Sequence, residues 1–399
     1  MRTVHVKASR EYSVQIGAGL LPTTGEQITK LISPGKAAIV SDSNVWPLYG
    51  SVVTDSLAAA GIQVVHYVIP AGEESKCGTV YLSLLNFLAE NHITRTDCLV
   101  ALGGGVVGDL TGFTAATYLR GIPYIQIPTT LLAAVDSSVG GKTAIDLPAG
   151  KNLAGAFYQP RLVLCDTDTL NTLPEDIFRD GCAEVIKYGI LYDDALFALL
   201  TRDGLNFDPE TVIARCVELK RDVVAEDEFD TGARQKLNLG HTIGHGIEAH
   251  SHFAISHGSA VAAGMAIVAR ASAALGICDH MTSQRIVSIL NQFHLPTTTT
   301  LSSDELYRSA LSDKKRAGGS VNLIVPKAIG DCAIYPLAVE NMKSFIEAGL
   351  YYGHHHSAWF PVRRADSDPL QISSPPIPNL RRLCGQRNHA PLPGNQPGY

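Results

Sequence analysis

The feature that most restricts the fold of this chain is a regular alternation of short apolar runs and helical patterns before residue 130. Runs rich in β-branched residues predict strands at Val4–Val6, Tyr12–Ile16, Ala37–Val40, Val64–Ile69, Cys98–Leu102 and Tyr124–Ile127. Helical patterns separate several of them, at Val53–Ala60 and Thr79–Asn91. Because the longer runs are apolar throughout, both faces of their sheet must be covered. The alternation therefore predicts an α/β domain with a parallel, Rossmann-like sheet.

The pattern changes near Leu173, where long helical periodicities replace the strands. They fall at Pro174–Tyr188, Asp194–Leu200, Glu210–Glu226, His241–Ala249, Ser259–Leu275 and Ser283–Phe293. We predict an α/β domain over residues 1–170 and an all-helical C-terminal domain over residues 171–350, with a cleft at their junction. Residues 351–399 are rich in proline and arginine and lack periodicity, which predicts a disordered tail.

Charge and composition exclude several classes of partner. The net charge of −6 argues against nucleic acid or an anionic membrane as the main partner. The N-terminal residues lack the apolar stretch of an export signal, and the eight cysteines are scattered without a CxxC pair. The Ala- and Gly-rich stretch from Gly258 to Ile277 contains Arg270, which predicts a buried helix and not a membrane span. A cytoplasmic protein with reduced thiols is expected.

A glycine motif, Gly103-x-Gly105-x-x-Gly108, follows one predicted strand and opens a helix with Asp109 in its first turn. Glycines let backbone amides approach a pyrophosphate, and a helix N-terminus favours its negative charge. Any tight strand-to-helix turn can also collect glycines, and the usual acidic residue about twenty positions later is missing. Asp42, at the end of an earlier strand, could hold an adenosine ribose instead. The motif alone leaves a dinucleotide site and a plain turn both open.

Two further segments carry polar groups in apolar surroundings. Asp136, Gly140-Gly141-Lys142 and Lys151-Asn152 follow the hydroxyls of Thr129-Thr130. An isolated lysine usually lies on a solvated loop, but lysines beside glycines and apolar runs favour a loop that grips phosphate.

Histidines and carboxylates predict a metal site. His241 and His245 lie four residues apart on one predicted helix, Glu248 follows on the same face, and Glu184 lies on another helix beside Lys187. His257 follows in a loop. Divalent ions such as Zn²⁺ accept these nitrogen and oxygen ligands. Spacing alone favours His241, His245 and either Glu248 or Glu184 as the ligands.

The ordered motifs together resemble one family, the 3-dehydroquinate synthases among the sugar phosphate cyclases. The resemblance covers about residues 1–350 and rests on Pro70–Lys76, Leu102–Asp109, Gln126–Leu131, Val135–Lys142, Gly150–Phe157, Gly181–Lys187, Leu237–His245, Ser256–Gly258 and Asp313–Lys315. One departure is Ser259, because the family commonly has Glu after the His-Gly of the last histidine motif.

The resemblance implies a set of site residues that differs from the one favoured by spacing. It assigns the metal to Glu184, His241 and His257, and makes His245 a hydrogen-bonding or proton-relay residue; we follow this assignment. Its substrate-binding residues fall on Asp136, Lys142, Asn152, Lys187, Lys220, Arg234, Asn238 and Lys315, with Arg120 reaching the phosphate of a neighbouring subunit. Its NAD contacts fall on Asp42, Glu73, Lys76, Gly104, Gly105, Val106, Asp109, Thr129, Thr130, Lys142, Lys151 and Thr172.

The resemblance also implies a reaction. The expected enzyme is a carbon–oxygen lyase that converts 3-deoxy-D-arabino-heptulosonate 7-phosphate to 3-dehydroquinate and phosphate in the shikimate pathway. It would use NAD, Zn²⁺ or Co²⁺, transient oxidation, β-elimination, re-reduction and aldol closure, often as a homodimer. Three alternatives stay open: another sugar phosphate cyclase, a metal-dependent alcohol or glycerol dehydrogenase, and an inactive NAD-binding module.

Overall fold

The computed structural model describes residues 1–251, 254–314 and 319–351. Its strands, numbered along the chain, are β1 (Arg2–Val6), β2 (Tyr12–Gly17), β3 (Lys36–Asp42), β4 (Gln63–Ile69), β5 (Cys98–Gly103), β6 (Tyr124–Pro128), β7 (Lys142–Leu147), β8 (Gly150–Phe157), β9 (Leu162–Asp166), β10 (Ser320–Ala328) and β11 (Asp331–Ala338). Its helices are α1 (Thr24–Thr29), α2 (Trp46–Ala59), α3 (Gly78–Glu90), α4 (Gly105–Thr117), α5 (Glu175–Tyr192), α6 (Asp194–Asp203), α7 (Pro209–Glu226), α8 (His241–His250), α9 (His257–Ala274), α10 (His280–Gln292), α11 (Ser303–Lys314) and α12 (Met342–Tyr351).

A seven-stranded sheet forms the centre of the N-terminal part, in the order β1-β2-β9-β6-β5-β3-β4. Only the β1–β2 pair is antiparallel, and the other neighbours are parallel. Every residue of β5 is buried. The predicted parallel α/β sheet is therefore confirmed. Because β3, β5 and β6 are parallel neighbours, their last residues lie at the same edge of the sheet. These residues are Asp42, Gly103 and Pro128.

Alternate residues of the central strands face two separate cores. Ile39 and Val100 pack with the α2 residues Val53 and Leu57 on one face. The neighbouring strand residues, such as Val40, pack with residues of α3 and α4 on the other. This two-sided burial explains why the strands read as continuous apolar runs in the sequence.

The C-terminal part is predominantly helical, as predicted, and α9 lies at its centre. Fourteen of the eighteen residues of α9 are buried, and most of them are alanine, glycine or valine. A Cβ atom at Gly264 would collide with the carbonyl oxygen of Gly240, and one at Gly349 would collide with that of Ile267. The helices before and after α9 in the chain therefore approach it closely enough for backbone to meet backbone.

Several elements differ from the sequence-based expectations. The segment expected to be a phosphate-gripping loop forms an antiparallel hairpin, β7–β8, because its residues pair from Lys142↔Phe157 onward. The C-terminal part also contains a second hairpin, β10–β11, in addition to its helices. Asp109 lies beyond the first turn of α4 rather than within it. Among the described helices, none combines the length and apolar character that a membrane span requires.

Candidate active site

The predicted dinucleotide-binding residues lie along one edge of the sheet. The turn at Gly103–Gly105 joins β5 to α4, and Thr129 N donates to Gly103 O at 3.0 Å. A Cβ at Gly104 would lie 3.2 Å from the Thr130 side chain, so this turn and the end of β6 are in close contact. A helix N-terminus next to a glycine turn suits a pyrophosphate.

Three other predicted NAD contacts lie in separate elements. Asp42, at the end of β3, accepts hydrogen bonds from Asn44 N at 2.9 Å and Val45 N at 3.0 Å. Val106 lies in the first turn of α4. The Thr172 hydroxyl lies 2.5 Å from Tyr49 Oη.

Lys76 connects the dinucleotide edge to the β7–β8 hairpin. Its Nζ donates to Asp109 at 2.6 Å and to the Asn152 amide oxygen at 2.6 Å, and Glu73 lies 3.8 Å away. Burial alone would lower the pKa of Lys76, but the carboxylates of Asp109 and Glu73 outweigh it and raise that pKa. Lys76 is therefore a buried cation, and it holds Asn152 against α4.

Lys151 extends this connection to α8. Its Nζ lies 3.8 Å from Glu73 and 3.4 Å from the Glu248 carboxylate. Glu248 is buried, and its other oxygen lies 3.4 Å from His257 Nδ1. A series of polar contacts therefore runs from Asp109 in α4 to His257 in the histidine cluster.

Three predicted metal ligands come together from three helices. Glu184 lies in α5, His241 is the first residue of α8, and His257 is the first residue of α9. One donor atom from each lies within 4.8 Å of the others. The Nε2 atoms of His241 and His257 lie 3.6 and 3.5 Å from Glu184 Oε1. Glu184 is 1% exposed, and Lys187 forms an ion pair with its Oε2.

The orientation of both imidazoles suits a divalent ion. His241 Nδ1 lies 3.1 Å from the carbonyl oxygen of Leu239, and His257 Nδ1 faces Glu248. An acceptor on Nδ1 fixes the tautomer and leaves Nε2 free to ligate. Two such nitrogens and one buried carboxylate form a donor set that Zn²⁺ and Co²⁺ accept.

The charges of the cluster follow from its burial and its neighbours. Burial raises the pKa of Glu184, but Lys187 and the two imidazoles outweigh this and lower it to about 2. Burial and the Lys187 ammonium lower the pKa of His241 to about 3. His241 is therefore neutral and Glu184 ionised at neutral pH, which are the forms that bind metal. Burial lowers the pKa of His257, but its contacts with Glu184 and Glu248 outweigh this and raise it to about 10, so metal binding must displace a proton from His257.

The spacing-only ligand set is not assembled in the described residues. His245 is exposed, and it comes together with Glu248 and His257 rather than with Glu184. The rings of His241 and His245 are in edge contact, with centroids 5.5 Å apart. His245 thus lies beside the cluster and open to solvent.

A second charged group lies next to the cluster, around Asp136 in a π-helical turn at Ala133–Ser137. Its carboxylate accepts hydrogen bonds from Lys220 Nζ at 2.8 Å and from Tyr188 Oη at 2.6 Å. Burial lowers the pKa of Lys220 to about 8, although Asp136 opposes this shift. Sequence reasoning missed Tyr188, whose only signal was its position directly after Lys187.

Arg234 is buried beside this group and donates from Nη1 to Gly140 O at 3.1 Å and to Glu228 O at 2.6 Å. Its loop is held by Asp227, which accepts from the backbone amides of Thr231, Gly232 and Arg234. These backbone bonds lower the pKa of Asp227 to about 2. Lys142 is half exposed and forms an ion pair with Asp230 at 2.5 Å.

The remaining predicted residues lie apart from these contacts or outside the described chain. Arg120 is exposed in a turn with φ 66°, and Asn238 is exposed just before α8. Lys315 lies outside the described residues, as do residues 352–399 of the predicted tail.

Comparisons with known proteins agree with this geometry. A family model described as 3-dehydroquinate synthase N-terminal matches residues 66–180, and one described as 3-dehydroquinate synthase C-terminal matches residues 181–316. A 3-dehydroquinate synthase from Pelobacter propionicus is 47% identical over 339 residues, which are 83% of this chain and 94% of the relative. One from Enterococcus faecalis is 43% identical over 85% of this chain and 96% of its own length.

Solved structures agree on the fold. A 2-deoxy-scyllo-inosose synthase complexed with carbaglucose-6-phosphate, NAD⁺ and Co²⁺ has a TM-score of 0.79 at 27% identity, covering 88% of this chain and 100% of its own. A 2-epi-5-epi-valiolone synthase from Streptomyces hygroscopicus with NAD⁺ and Zn²⁺ bound has a TM-score of 0.78 at 26% identity, covering 88% and 99%. The two family models match adjacent parts of the chain, and the two relatives are more than 40% identical to it. The chain therefore belongs to the 3-dehydroquinate synthase family.

Proposed function

We propose that this protein is a 3-dehydroquinate synthase, which converts 3-deoxy-D-arabino-heptulosonate 7-phosphate to 3-dehydroquinate and phosphate. The observation that carries the proposal is the series of contacts that joins Asp109, in the helix after the glycine turn, to the histidine cluster, together with a separate set of cationic side chains. A simple dehydrogenase needs the glycine turn and the histidine cluster but not the cationic side chains. The cations Lys142, Lys220 and Arg234 suit a phosphorylated, anionic substrate.

The residues that would hold the cofactors follow from the geometry. Glu184, His241 and His257 would bind Zn²⁺ or Co²⁺, while the turn at Gly104–Gly105 and the neighbouring Thr129 and Thr130 would bind the NAD pyrophosphate. When bound, NAD accepts and returns a hydride, and the metal polarises a substrate oxygen as a Lewis acid.

The chain's own residues would bind and orient the substrate. Lys142, Asn152 and Arg234 would hold the phosphate, together with Lys315. Lys187, Lys220 and Asn238 would contact the ring oxygens and the carboxylate, with Asp136 fixing Lys220 through its 2.8 Å ion pair. Holding the phosphate near the carbon that loses its proton would favour β-elimination. His245, at the exposed side of the cluster, would relay protons.

The exposed position of Arg120 supports a further part of the proposal, in which the protein acts as a homodimer and Arg120 reaches the phosphate of the partner subunit. We also propose a cytoplasmic location, which suits an enzyme with six buried cysteine thiols among those described.

The test is whether NAD is recycled. NAD at one hundredth of the substrate concentration should support many turnovers, with phosphate released in each and no accumulation of NADH absorbance. Glucose 6-phosphate and sedoheptulose 7-phosphate, offered in parallel, test the inosose- and valiolone-forming alternatives. Stoichiometric NADH formation from a simple polyol would refute the proposal in favour of a dehydrogenase.

Arg234→Ala sharpens this test. Loss of a charge-assisted phosphate contact should lower kcat/KM by roughly 10- to 150-fold, equivalent to about 1.5–3 kcal/mol, and leave NAD affinity unchanged. Arg221→Ala is the matched control, because Arg221 pairs with Asp222 on α7 outside this cluster. Equal activity of the two variants would contradict a phosphate-binding role for Arg234.

A further inference from the structure

Helix α9 begins with a capping arrangement that its own sequence does not supply. Its N-cap residue is Ser256, yet the Ser256 side chain makes no cap hydrogen bond to the helix. An N-cap serine commonly works with a glutamate three residues later, and this chain has Ser259 there. The amides of the first turn of α9 therefore need another acceptor.

Asp180, in α5, supplies that acceptor from outside the helix. Its Oδ1 accepts from Ser259 N at 2.8 Å and also from the Ser256 hydroxyl, which lies 2.8 Å from Ser259 Oγ. A carboxylate at this position also interacts favourably with the positive end of the helix dipole. The two helices touch here, because a Cβ at Gly258 would collide with the backbone carbonyl oxygen of Asp180.

The position of this contact connects it to the histidine cluster. Asp180 lies one turn before Glu184 on the same face of α5, and His257 is the first residue of the helix that Asp180 caps. The same part of α5 thus carries Glu184 of the cluster and, through Asp180, contacts the start of α9, the helix that carries His257.

We propose that Asp180 is a positioning residue for the metal site, which caps α9 from outside and thereby fixes His257 relative to Glu184. This proposal rests on the proposed function only in treating Glu184, His241 and His257 as metal ligands. Asp180 contacts neither substrate nor metal, so its removal should weaken metal binding and leave the chemistry of the loaded enzyme nearly intact.

The experiment measures Co²⁺ affinity by competition with a chelator, using the full chain without substrate. Asp180→Ala should weaken Co²⁺ binding about 10-fold and lower the melting temperature of the metal-free protein. At saturating Co²⁺, kcat and KM should stay within threefold of the wild type. Asp176→Ala is the control, because Asp176 is an exposed carboxylate one turn earlier on α5.

Ser259→Glu tests the capping mechanism itself. It completes a Ser-x-x-Glu box within α9, so the double variant Asp180→Ala/Ser259→Glu should regain Co²⁺ affinity to within threefold of the wild type. Wild-type affinity in Asp180→Ala would overturn the proposal, and so would a loss that Ser259→Glu does not restore.

If Asp180→Ala does not fold, Asp180→Asn replaces it in both measurements. The amide oxygen can still accept from Ser259 N but carries no charge, so the loss should be smaller and should again be restored by Ser259→Glu. Because Co²⁺ affinity and the melting temperature are measured without turnover, a failure of the proposed reaction and a failure of this proposal remain distinguishable.

Discussion

Glu248 offers the sharpest test of how the histidine cluster is built. Spacing leaves Glu248 and Glu184 as alternative ligands, while the structure directs the Glu248 carboxylate to His257 Nδ1. The perturbation is Glu248→Gln, which keeps the shape and an acceptor oxygen but removes the charge. Burial raises the pKa of Glu248, yet the contacts with His257 and Lys151 lower it to about 2, so the wild-type group is charged.

The size of the effect follows from the contact. A hydrogen bond to a charged group contributes about 1.5–3 kcal/mol. The 3.4 Å separation between His257 Nδ1 and Glu248 is long for such a bond, which favours the lower end of this range. We therefore expect Glu248→Gln to weaken Zn²⁺ binding about tenfold, equivalent to about 1.4 kcal/mol.

The assay is chelator competition for Zn²⁺ with purified variants. Glu184→Gln alters a proposed ligand and should lose far more Zn²⁺ affinity than Glu248→Gln. It therefore serves as the reference for the loss of a ligand. Equal losses in the two variants would refute the reasoning, because Glu248 would then act as a ligand itself. An unchanged affinity in Glu248→Gln would also refute it, because the carboxylate would then not orient His257.

Three further predictions concern neighbouring groups. His245→Ala should keep bound metal, measured by elemental analysis, while kcat falls roughly 100-fold; metal loss would contradict this. Gly140→Ala should raise KM for the phosphorylated substrate about tenfold, since its Cβ would lie 2.5 Å from Arg234 Nη2 at a φ of +93°; an unchanged KM would count against it. The folded pKa of Asp227, about 2, lies below its unfolded value of about 3.9, so its stabilisation is present above the unfolded value and lost as pH falls toward 2. Asp227→Asn should therefore melt at a lower temperature than the wild type at pH 6, with a difference that shrinks by pH 3.

The sheet could be predicted from the sequence because burial on both faces leaves a local signal. The strands β3 and β5 contain continuous apolar runs, and their observed bounds differ from the predicted ones by at most two residues. The β7–β8 hairpin has no such signal. Its strands carry lysine, asparagine, glycine and alanine, and much of β8 is exposed or half-buried.

The sequence indicates which residues could form the histidine cluster. Their spacing along the chain does not predict which of them come together. His241 and His245 share a helix, so their separation of four residues is visible in the sequence. The contacts that bring Glu184 and His257 to His241 depend instead on how α5 and α9 pack against α8. Only the resemblance to a known family carried that long-range information, and the structure brings the same three residues together.

The close approach of backbones around α9 limits how this protein can be altered by laboratory evolution. Any side chain introduced at Gly264 or Gly349 would enter the space of a neighbouring carbonyl oxygen, and the same holds at Gly258. Mutational libraries that aim at new substrates should therefore leave these positions fixed. Diversity is better directed to Leu147 and Leu153 of the β7–β8 hairpin, because these two side chains face solvent and substitutions at exposed positions carry little structural risk.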